Sequence, residues 1–284
     1  MSVAELSPRR SDASGWSAMW KRYKRNRAAL LGLVLLAVVL LMAATAGLVE
    51  PIDPLRRAGE PLVSPFTNWA TPFGTDQLGR DILAGVFHGA RTSLLIGVVS
   101  TVLAISIGIL VGSVAGYFGG RIDDVLMRIT EAFQTIPNFV LLLALVAILG
   151  STLQNMIIAI GLVSWTSPAR LVRAEFLSLR TREFIEAARN LGVGDASIIF
   201  REMLPNALPP VIVFASIIMA VSILLESALA FLGLGDPNFA SWGNMIGAGR
   251  SVLREAWYCS AIPGLAILVT VLAFSLIGEG LNEA

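Results

Sequence analysis

Few residues of this sequence have the chemistry of a catalytic or metal-binding group. The single histidine, His88, excludes zinc motifs built from two histidines on one helix and argues against histidine-based catalysis. The single cysteine, Cys259, excludes an internal disulfide and a cysteine-based metal cluster. The chain contains no phosphate-binding motif of the form GxxxxGK followed by Ser or Thr. We therefore expect no catalytic residue, no metal site and no cofactor in this chain.

Glu226 is the one acidic residue deep inside a long apolar run. An ionised carboxylate at the centre of a membrane helix costs about 2.5–3.5 kcal/mol on insertion scales, so such residues face a bundle interior or an aqueous path. Two roles stay open at this point. Glu226 either lines a solute pathway or makes a structural hydrogen bond to a neighbouring helix.

Residues 183–209 form a polar stretch between long apolar runs. Two short helices are predicted in it, the first over 184–191, with Gly192 and Gly194 both predicted to allow the positive φ that ends a helix. The second is predicted to begin with Asp195 as its N-cap and to stop before Pro205. The prediction is therefore a helix–turn–helix held between membrane segments.

Apolar residues on both predicted helices give this stretch the character of a docking element. Their spacing forms one stripe at i, i+3, i+4 and i+7 and a second short patch. The stripe comprises Phe184, Ala187, Ala188 and Leu191, and the patch comprises Ile198, Ile199 and Met203. Apolar helix faces of this kind suit a groove on a partner protein.

The composition is that of a membrane protein. The 284 residues are 55% hydrophobic and 14% charged, whereas soluble domains carry about 25% charged residues. Apolar runs predict an all-α, polytopic fold with six transmembrane helices. The predicted spans are 28–49, 92–118, 125–149 (interrupted by Pro137), 156–168, 210–232 and 259–277. A half-buried re-entrant piece is expected within 233–257.

Two spans carry further local patterns. Gly108, Gly112 and Gly116 are four residues apart, which is typical of a face that another helix approaches closely, with a substrate groove as the alternative. Arg128 and Glu131 are spaced i, i+3 near the start of the third span, which predicts a local ion pair.

Residues 1–27 are polar and basic and precede a single membrane domain over 28–284. Trp16 and Trp20 beside the basic cluster predict an interfacial helix, which argues against a nucleic-acid patch. A cleaved signal peptide is the alternative. The apolar run 28–49 is too long for a signal peptide and favours an uncleaved anchor.

The distribution of positive charge predicts the orientation. With six spans, the N-terminus, the 119–128 turn, residues 170–202 and the C-terminus share one side, which holds 15 of the 21 Lys and Arg residues. The positive-inside rule places that side in the cytoplasm. Both termini and the 183–209 stretch are therefore expected to be cytoplasmic.

The 183–209 stretch resembles the EAA loop of bacterial ATP-binding-cassette importer permeases. Glu186-Ala187-Ala188, Gly192 and Leu204-Pro205 match that loop in type and spacing. In the family this loop is the coupling helix that docks on the ATPase subunit. The residues to which the resemblance assigns coupling are Glu183, Glu186, Ala187, Ala188, Gly192, Asp195, Leu204 and Pro205. Glu202-Met203 replace the isoleucine often found before Leu-Pro, which is compatible with the peptide and nickel branch.

A second motif lies in the predicted first outward loop. By local pattern, Asp76 is predicted to be the N-cap of a helix running toward Gly85. The segment GTDQLGRD also resembles a signature of dipeptide, oligopeptide and nickel permeases, as does the segment 224–235. The signature residues are Gly74, Thr75, Asp76, Gly79, Arg80 and Asp81.

The resemblance implies the second of two permease subunits in a bacterial peptide importer of the cytoplasmic (inner) membrane. The expected partners are a homologous second permease, two ATPase subunits that bind ATP and Mg, an extracytoplasmic substrate-binding protein and the lipid bilayer. Nucleic acid is not an expected partner. ATP-driven closure of the ATPases would move the coupling loops and open the path outward. The chain itself is expected not to be an enzyme.

Three alternatives remain at this stage. A nickel-chelate or glutathione importer permease would belong to the same family. An ion-coupled secondary carrier would also be helical, but it has no reason to carry a docking loop. An intramembrane protease would need a Ser–His pair or two facing acids, whereas His88 lies in or beside an outward loop and only Glu226 is deep.

Overall fold

The computed structural model describes residues 26–49 and 53–283, and the regular elements of this part of the chain are helices joined by loops and turns. Within it there is no β-strand, and two isolated bridges lie in the loop before the second helix. The all-α prediction is therefore confirmed for the described residues. The predicted interfacial helix at Trp16 and Trp20 lies outside them.

Within the described residues, four helices are long and apolar enough to cross a membrane: α1 (Arg27–Val49), α2 (Ile82–Phe118), α8 (Asp195–Phe231) and α10 (Tyr258–Asn282). Helix α2 begins well before predicted residue 92 because Asp81, not Asp76, is its N-cap and accepts a 2.8 Å hydrogen bond from the Leu83 N–H.

Two further spans are possible as bent helix pairs, so the described residues contain four to six spans. The first pair is α3 (Gly120–Thr135) and α4 (Asn138–Leu149), bent by 83°. Ile136 is extended there because it precedes Pro137, which confirms the predicted interruption. The second pair is α5 (Leu153–Ser164) and α6 (Thr166–Arg180), bent by 41°.

Two short helices complete the described fold: α7 (Glu183–Asn190) and α9 (Trp242–Gly249), the latter followed by a 3₁₀ turn over Arg250–Val252. Helix α9 packs on α8 and α10. Its Trp242 is fully buried and donates an indole hydrogen bond of 2.9 Å to the Val86 carbonyl. The expected half-buried piece within 233–257 is therefore present as a helix inserted against the bundle.

The glycine face of α2 packs against α6, which confirms the helix-packing interpretation. A Cβ at Gly108 would lie 2.7 Å from the Pro168 Cβ, and a Cβ at Gly112 would lie 2.8 Å from the Val172 Cβ. Both separations are shorter than real Cβ contacts, so only glycine allows the two helices to approach this closely.

The predicted ion pair between Arg128 and Glu131 is wrong. Among the described residues the one ion pair joins Arg173 of α6 to Asp123 of α3 through both carboxylate oxygens. This bidentate pair joins two different helices, so the i, i+3 spacing within one helix does not reveal it.

The two ends of the bundle are distinguished by contacts between distant residues. At one end the Cys259 thiol, at the start of α10, lies 3.8 Å from the Thr75 carbonyl beside the start of α2. At the other end the Asn26 amide, before α1, donates a 2.7 Å hydrogen bond to Glu283, after α10. Because α2 and α10 begin at the first end, both helices finish at the second.

Candidate functional site

The first arm of the predicted helix–turn–helix is α7, and it ends in a Schellman motif. Gly192 has a φ of 76°, its N–H donates to the Arg189 carbonyl (2.9 Å), and the Val193 N–H donates to the Ala188 carbonyl (3.1 Å). A Cβ at Gly192 would meet no atom within 4 Å. The turn therefore needs glycine for its backbone conformation and not for space. Gly194 has a φ of −64°, so the positive-φ prediction is wrong for it.

The second arm is not a separate helix, contrary to the prediction, because α8 continues from Asp195 through Pro205 to Phe231. A π-helical turn over Ile198–Met203 precedes the proline, and the Leu204 N–H bonds to the Ile199 carbonyl, five residues back. This wider turn removes the clash that a proline ring makes with the carbonyl four residues before it. The hairpin formed by α7 and the start of α8 is thus continuous with a membrane span.

Asp195 is placed differently from its prediction as an N-cap. Gly194 occupies the N-cap position, and Asp195 is the first helical residue. Its carboxylate instead accepts a 2.6 Å hydrogen bond from the Tyr117 hydroxyl at the end of α2. Sequence reasoning missed Tyr117 because no local pattern links it to a loop 78 residues away.

The buried side of the hairpin belongs to the core of this chain. Ile185 of α7 is fully buried together with Ile198 and Met203 of α8, and all three pack with Phe176 of α6. The predicted second docking patch at Ile198, Ile199 and Met203 is therefore wrong, because these side chains already have partners inside the chain. They make the base of the hairpin rigid.

The outer side of the hairpin carries apolar residues that the described chain leaves exposed. Leu191 is 84% exposed, more than any other large apolar residue of the hairpin. The exposed apolar residues of the hairpin are Phe184, Ala187, Leu191, Val193 and Phe200. Glu183 and Glu186 are exposed beside them, whereas Ala188 is half-buried against the core. The predicted stripe is therefore largely available to a partner.

The signature residues lie in the 53–81 loop and hold that loop against the start of α2. Thr75 is fully buried; its hydroxyl donates to the Glu60 carbonyl (2.6 Å) and accepts from the Val63 N–H (2.9 Å). Gly74 and Gly79 have positive φ, at 82° and 73°, where an added Cβ would collide with loop backbone. These residues are therefore needed for the conformation of the loop.

The two acids of the signature have separate structural roles. One Asp76 oxygen accepts from the N–H groups of Leu78 (2.8 Å) and Arg80 (2.9 Å), so Asp76 stabilises a turn and is not the N-cap that local pattern predicted. Asp81 supplies that cap. Burial raises the pKa of the Asp81 carboxyl, and backbone hydrogen bonds from Leu83 and Ala84 oppose the rise.

A cavity of about 390 Å³ lies beside the signature. Asp76, Arg80 and Asp81 line it on one side, and Phe231 and Met245 are among its apolar walls. The lining thus combines cationic, anionic and aromatic side chains. Sequence motifs identified the signature residues but not the apolar walls, which come from α8 and α9.

Glu226 lies on α8, is 1% exposed and faces the start of α9. One carboxylate oxygen accepts a 2.7 Å hydrogen bond from Ser241, which also caps α9 by accepting from the Asn244 N–H (3.1 Å). The other oxygen lies 3.3 Å from the Ser227 hydroxyl, which also donates a 2.8 Å hydrogen bond to the Ile223 carbonyl. These contacts support the structural role that the sequence left open.

Two family models match most of the chain. Residues 108–284 match the family described as binding-protein-dependent transport system inner membrane component. Residues 14–73 match the N-terminal TM domain of oligopeptide transport permease C. The first match covers more than half of the 284 residues.

Curated relatives match over nearly the whole length. The di/tripeptide transport system permease protein DppC of Pseudomonas aeruginosa is 38% identical, covering 93% of this chain and 89% of the relative. A putative peptide permease protein of Brucella suis is 40% identical over 93% of this chain and 88% of the relative. The glutathione transport system permease protein GsiD of Pectobacterium atrosepticum is 35% identical over 95% and 90%.

Among solved structures, inward-facing conformations of the MetNI methionine ABC transporter are similar in fold. One crystal form has a TM-score of 0.57 at 20% identity, covering 69% of this chain and 93% of that chain. Permeases of this family form a membrane path while separate subunits hydrolyse ATP, so this chain is not an enzyme. The chain belongs to the binding-protein-dependent transport system inner membrane components, as an ATP-binding-cassette importer permease of the dipeptide, oligopeptide and nickel family.

Proposed function

We propose that this chain is a permease subunit of an ATP-driven peptide importer in the bacterial cytoplasmic membrane. The solute class is supported by the relatives, because those at 38–40% identity are named as di/tripeptide or peptide permeases. A glutathione permease at 35% identity supports a second candidate solute, which is itself a small peptide. The chain would form the transport path together with a homologous second permease.

The hairpin formed by α7 and the start of α8 is the proposed contact with an ATPase subunit. The observation that supports this role most strongly is the contrast between its two sides. Its inner side is buried in the core with Ile185 and Met203, and its outer side exposes Phe184, Leu191 and Phe200. A rigid base with an exposed apolar surface is suited to receive force from a partner and pass it to a membrane helix.

The proposed orientation places this hairpin in the cytoplasm. Tyr117 at the end of α2 bonds to Asp195 of the hairpin, and Asn26 and Glu283 meet at the end where α2 and α10 finish. The hairpin and both described chain ends therefore share one end of the bundle. The excess of Lys and Arg on that end favours the cytoplasmic side. The 53–81 loop would then face an extracytoplasmic binding protein.

A charge placed on the exposed apolar surface tests the docking proposal. We expect Leu191→Asp to prevent co-purification with the ATPase subunits and to abolish uptake, because a carboxylate would be desolvated in the interface. The matched control is Leu253→Asp, since Leu253 is 52% exposed and lies near the opposite end of the bundle. Normal ATPase binding by Leu191→Asp would refute the proposed contact.

The solute is tested by uptake in a strain that lacks this chain. We expect the deletion to lose uptake of di- or oligopeptides and the wild-type chain to restore it. Glutathione and a nickel chelate, measured in the same strain, serve as competing solutes. Loss of nickel-chelate uptake with peptide uptake unchanged would contradict the peptide assignment.

A further inference from the structure

Tyr117 contacts both arms of the hairpin from the end of a membrane helix. Its hydroxyl donates a 2.6 Å hydrogen bond to the Asp195 carboxylate, which belongs to the second arm. The guanidinium carbon of Arg189, on the first arm, lies 5.1 Å from the centroid of the Tyr117 ring. One side chain thus bridges the Schellman turn at Gly192 that joins the two arms.

Packing holds the Tyr117 ring in place independently of these two contacts. It is 5% exposed and belongs to the same buried cluster as Phe176, Ile185 and Met203. Gly119, directly beyond the end of α2, has a φ of 64°, so the helix ends at Phe118, one residue after Tyr117. The hydroxyl therefore has a fixed position, whereas Asp195 and Arg189 are exposed residues of the hairpin.

The helix that carries Tyr117 is closely packed along the adjoining stretch. Gly108 and Gly112 lie against α6, and a Cβ at Gly116 would lie 2.5 Å from the Phe176 Cβ. A displacement of the hairpin transmitted to Tyr117 would thus move α2 and α6 together, because close-packed helices do not deform independently. The covalent continuity of the hairpin with α8 provides a second connection.

We propose that Tyr117 is a positioning residue for energy coupling: it clamps Asp195 and Arg189 so that movement of the hairpin is transmitted to α2 as well as to α8. The proposal rests on the proposed function, since it concerns the same ATPase-docking hairpin. Tyr117 itself need not touch the ATPase. Its loss would leave the exposed apolar residues in place while loosening the hairpin from α2.

The test measures ATP hydrolysis and solute uptake in the same proteoliposomes, reconstituted with the complete transporter. Tyr117→Phe removes the hydroxyl and keeps the buried ring. We expect the variant complex to assemble with its ATPase subunits and to hydrolyse ATP, with uptake per ATP reduced about tenfold. The matched control is Tyr258→Phe, because the buried Tyr258 hydroxyl has no hydrogen-bond partner within the described residues.

Variants of the acceptor separate coupling from a simple loss of stability. Asp195→Asn retains an oxygen that accepts from Tyr117 and should reduce uptake per ATP less than Asp195→Ala does. The double variant Tyr117→Phe with Asp195→Ala should have the same uptake per ATP as Asp195→Ala alone, because each substitution removes the same hydrogen bond. Complex yield and melting temperature are measured in parallel.

The outcomes distinguish the two proposals. If wild-type chain fails to bind the ATPases, the proposed function is wrong. If the wild-type complex assembles and Tyr117→Phe transports with the wild-type uptake per ATP, only the clamp is refuted. A fall in yield that accounts fully for the lost uptake, with uptake per ATP unchanged, also refutes the clamp.

Discussion

Glu226 and Ser241 join helix α8 to the start of the inserted helix α9. The Ser241 hydroxyl donates a 2.7 Å hydrogen bond to the Glu226 carboxylate and at the same time caps α9 by accepting from Asn244. Gly243 lies against Ser227, where an added Cβ would sit 2.6 Å from the Ser227 Cα. The buried acid therefore fixes where α9 begins on the surface of α8.

This geometry predicts different outcomes for two substitutions of Glu226. Glu226→Gln keeps an oxygen that accepts from Ser241, so we expect normal assembly and uptake close to wild type. Glu226→Ala leaves the Ser241 hydroxyl buried without that acceptor and should lower the free energy of unfolding by about 1–3 kcal/mol. Thermal melting in detergent and peptide uptake measure the two effects. Lost uptake in a normally folded Glu226→Gln would show that the charge itself acts on the solute.

Gly192 and Gly194 provide a matched pair for the hairpin turn. Both have open space around them, but only Gly192 has positive φ. Gly192→Val forces a β-branched residue into the left-handed region at a cost of about 1–2 kcal/mol or more. We expect the variant to reach the membrane and to lose ATPase association or transport, whereas Gly194→Val retains both. Full transport by Gly192→Val would remove the coupling role from this turn.

The contact between α2 and α6 predicts a large effect of a single methyl group. Gly108→Ala would place a Cβ 2.7 Å from the Pro168 Cβ and should destabilise the fold by about 1–3 kcal/mol through overpacking. Gly264→Ala is the control, since its nearest atom would be 3.9 Å away. Melting temperatures of the two variants are compared directly. Equal values would mean that the glycine face is not a tight contact.

Membrane orientation is testable with single cysteines and an impermeant thiol reagent. The buried native thiol is first removed by Cys259→Ser. We expect Glu60→Cys and Asn238→Cys to react from outside and Ala196→Cys to be protected in intact cells, because the first two lie at the end opposite the hairpin. All three residues are exposed in the structure. Labelling of Ala196→Cys from outside would invert the orientation and place the hairpin away from any cytoplasmic ATPase.

Patterns within one segment were sufficient to predict much of the architecture. Residues 28–49 predicted α1, Pro137 predicted the break between α3 and α4, and Gly192 predicted the end of α7. Each prediction depends on residues close in sequence, namely an apolar run, a ring that restricts the preceding residue, or a glycine that tolerates positive φ. Such a feature is determined by residues that are adjacent in the sequence, so it can be recognised without knowledge of tertiary contacts.

Contacts between distant segments decided the remainder. Asp195 was predicted to be an N-cap and instead accepts a hydrogen bond from Tyr117. Glu226 accepts a hydrogen bond from Ser241. Met203 was predicted to be part of a docking surface and is buried against α6. A polar or apolar side chain has the same appearance in the sequence whichever neighbour it meets. Only tertiary packing decides whether it is exposed to a partner or satisfied within the chain.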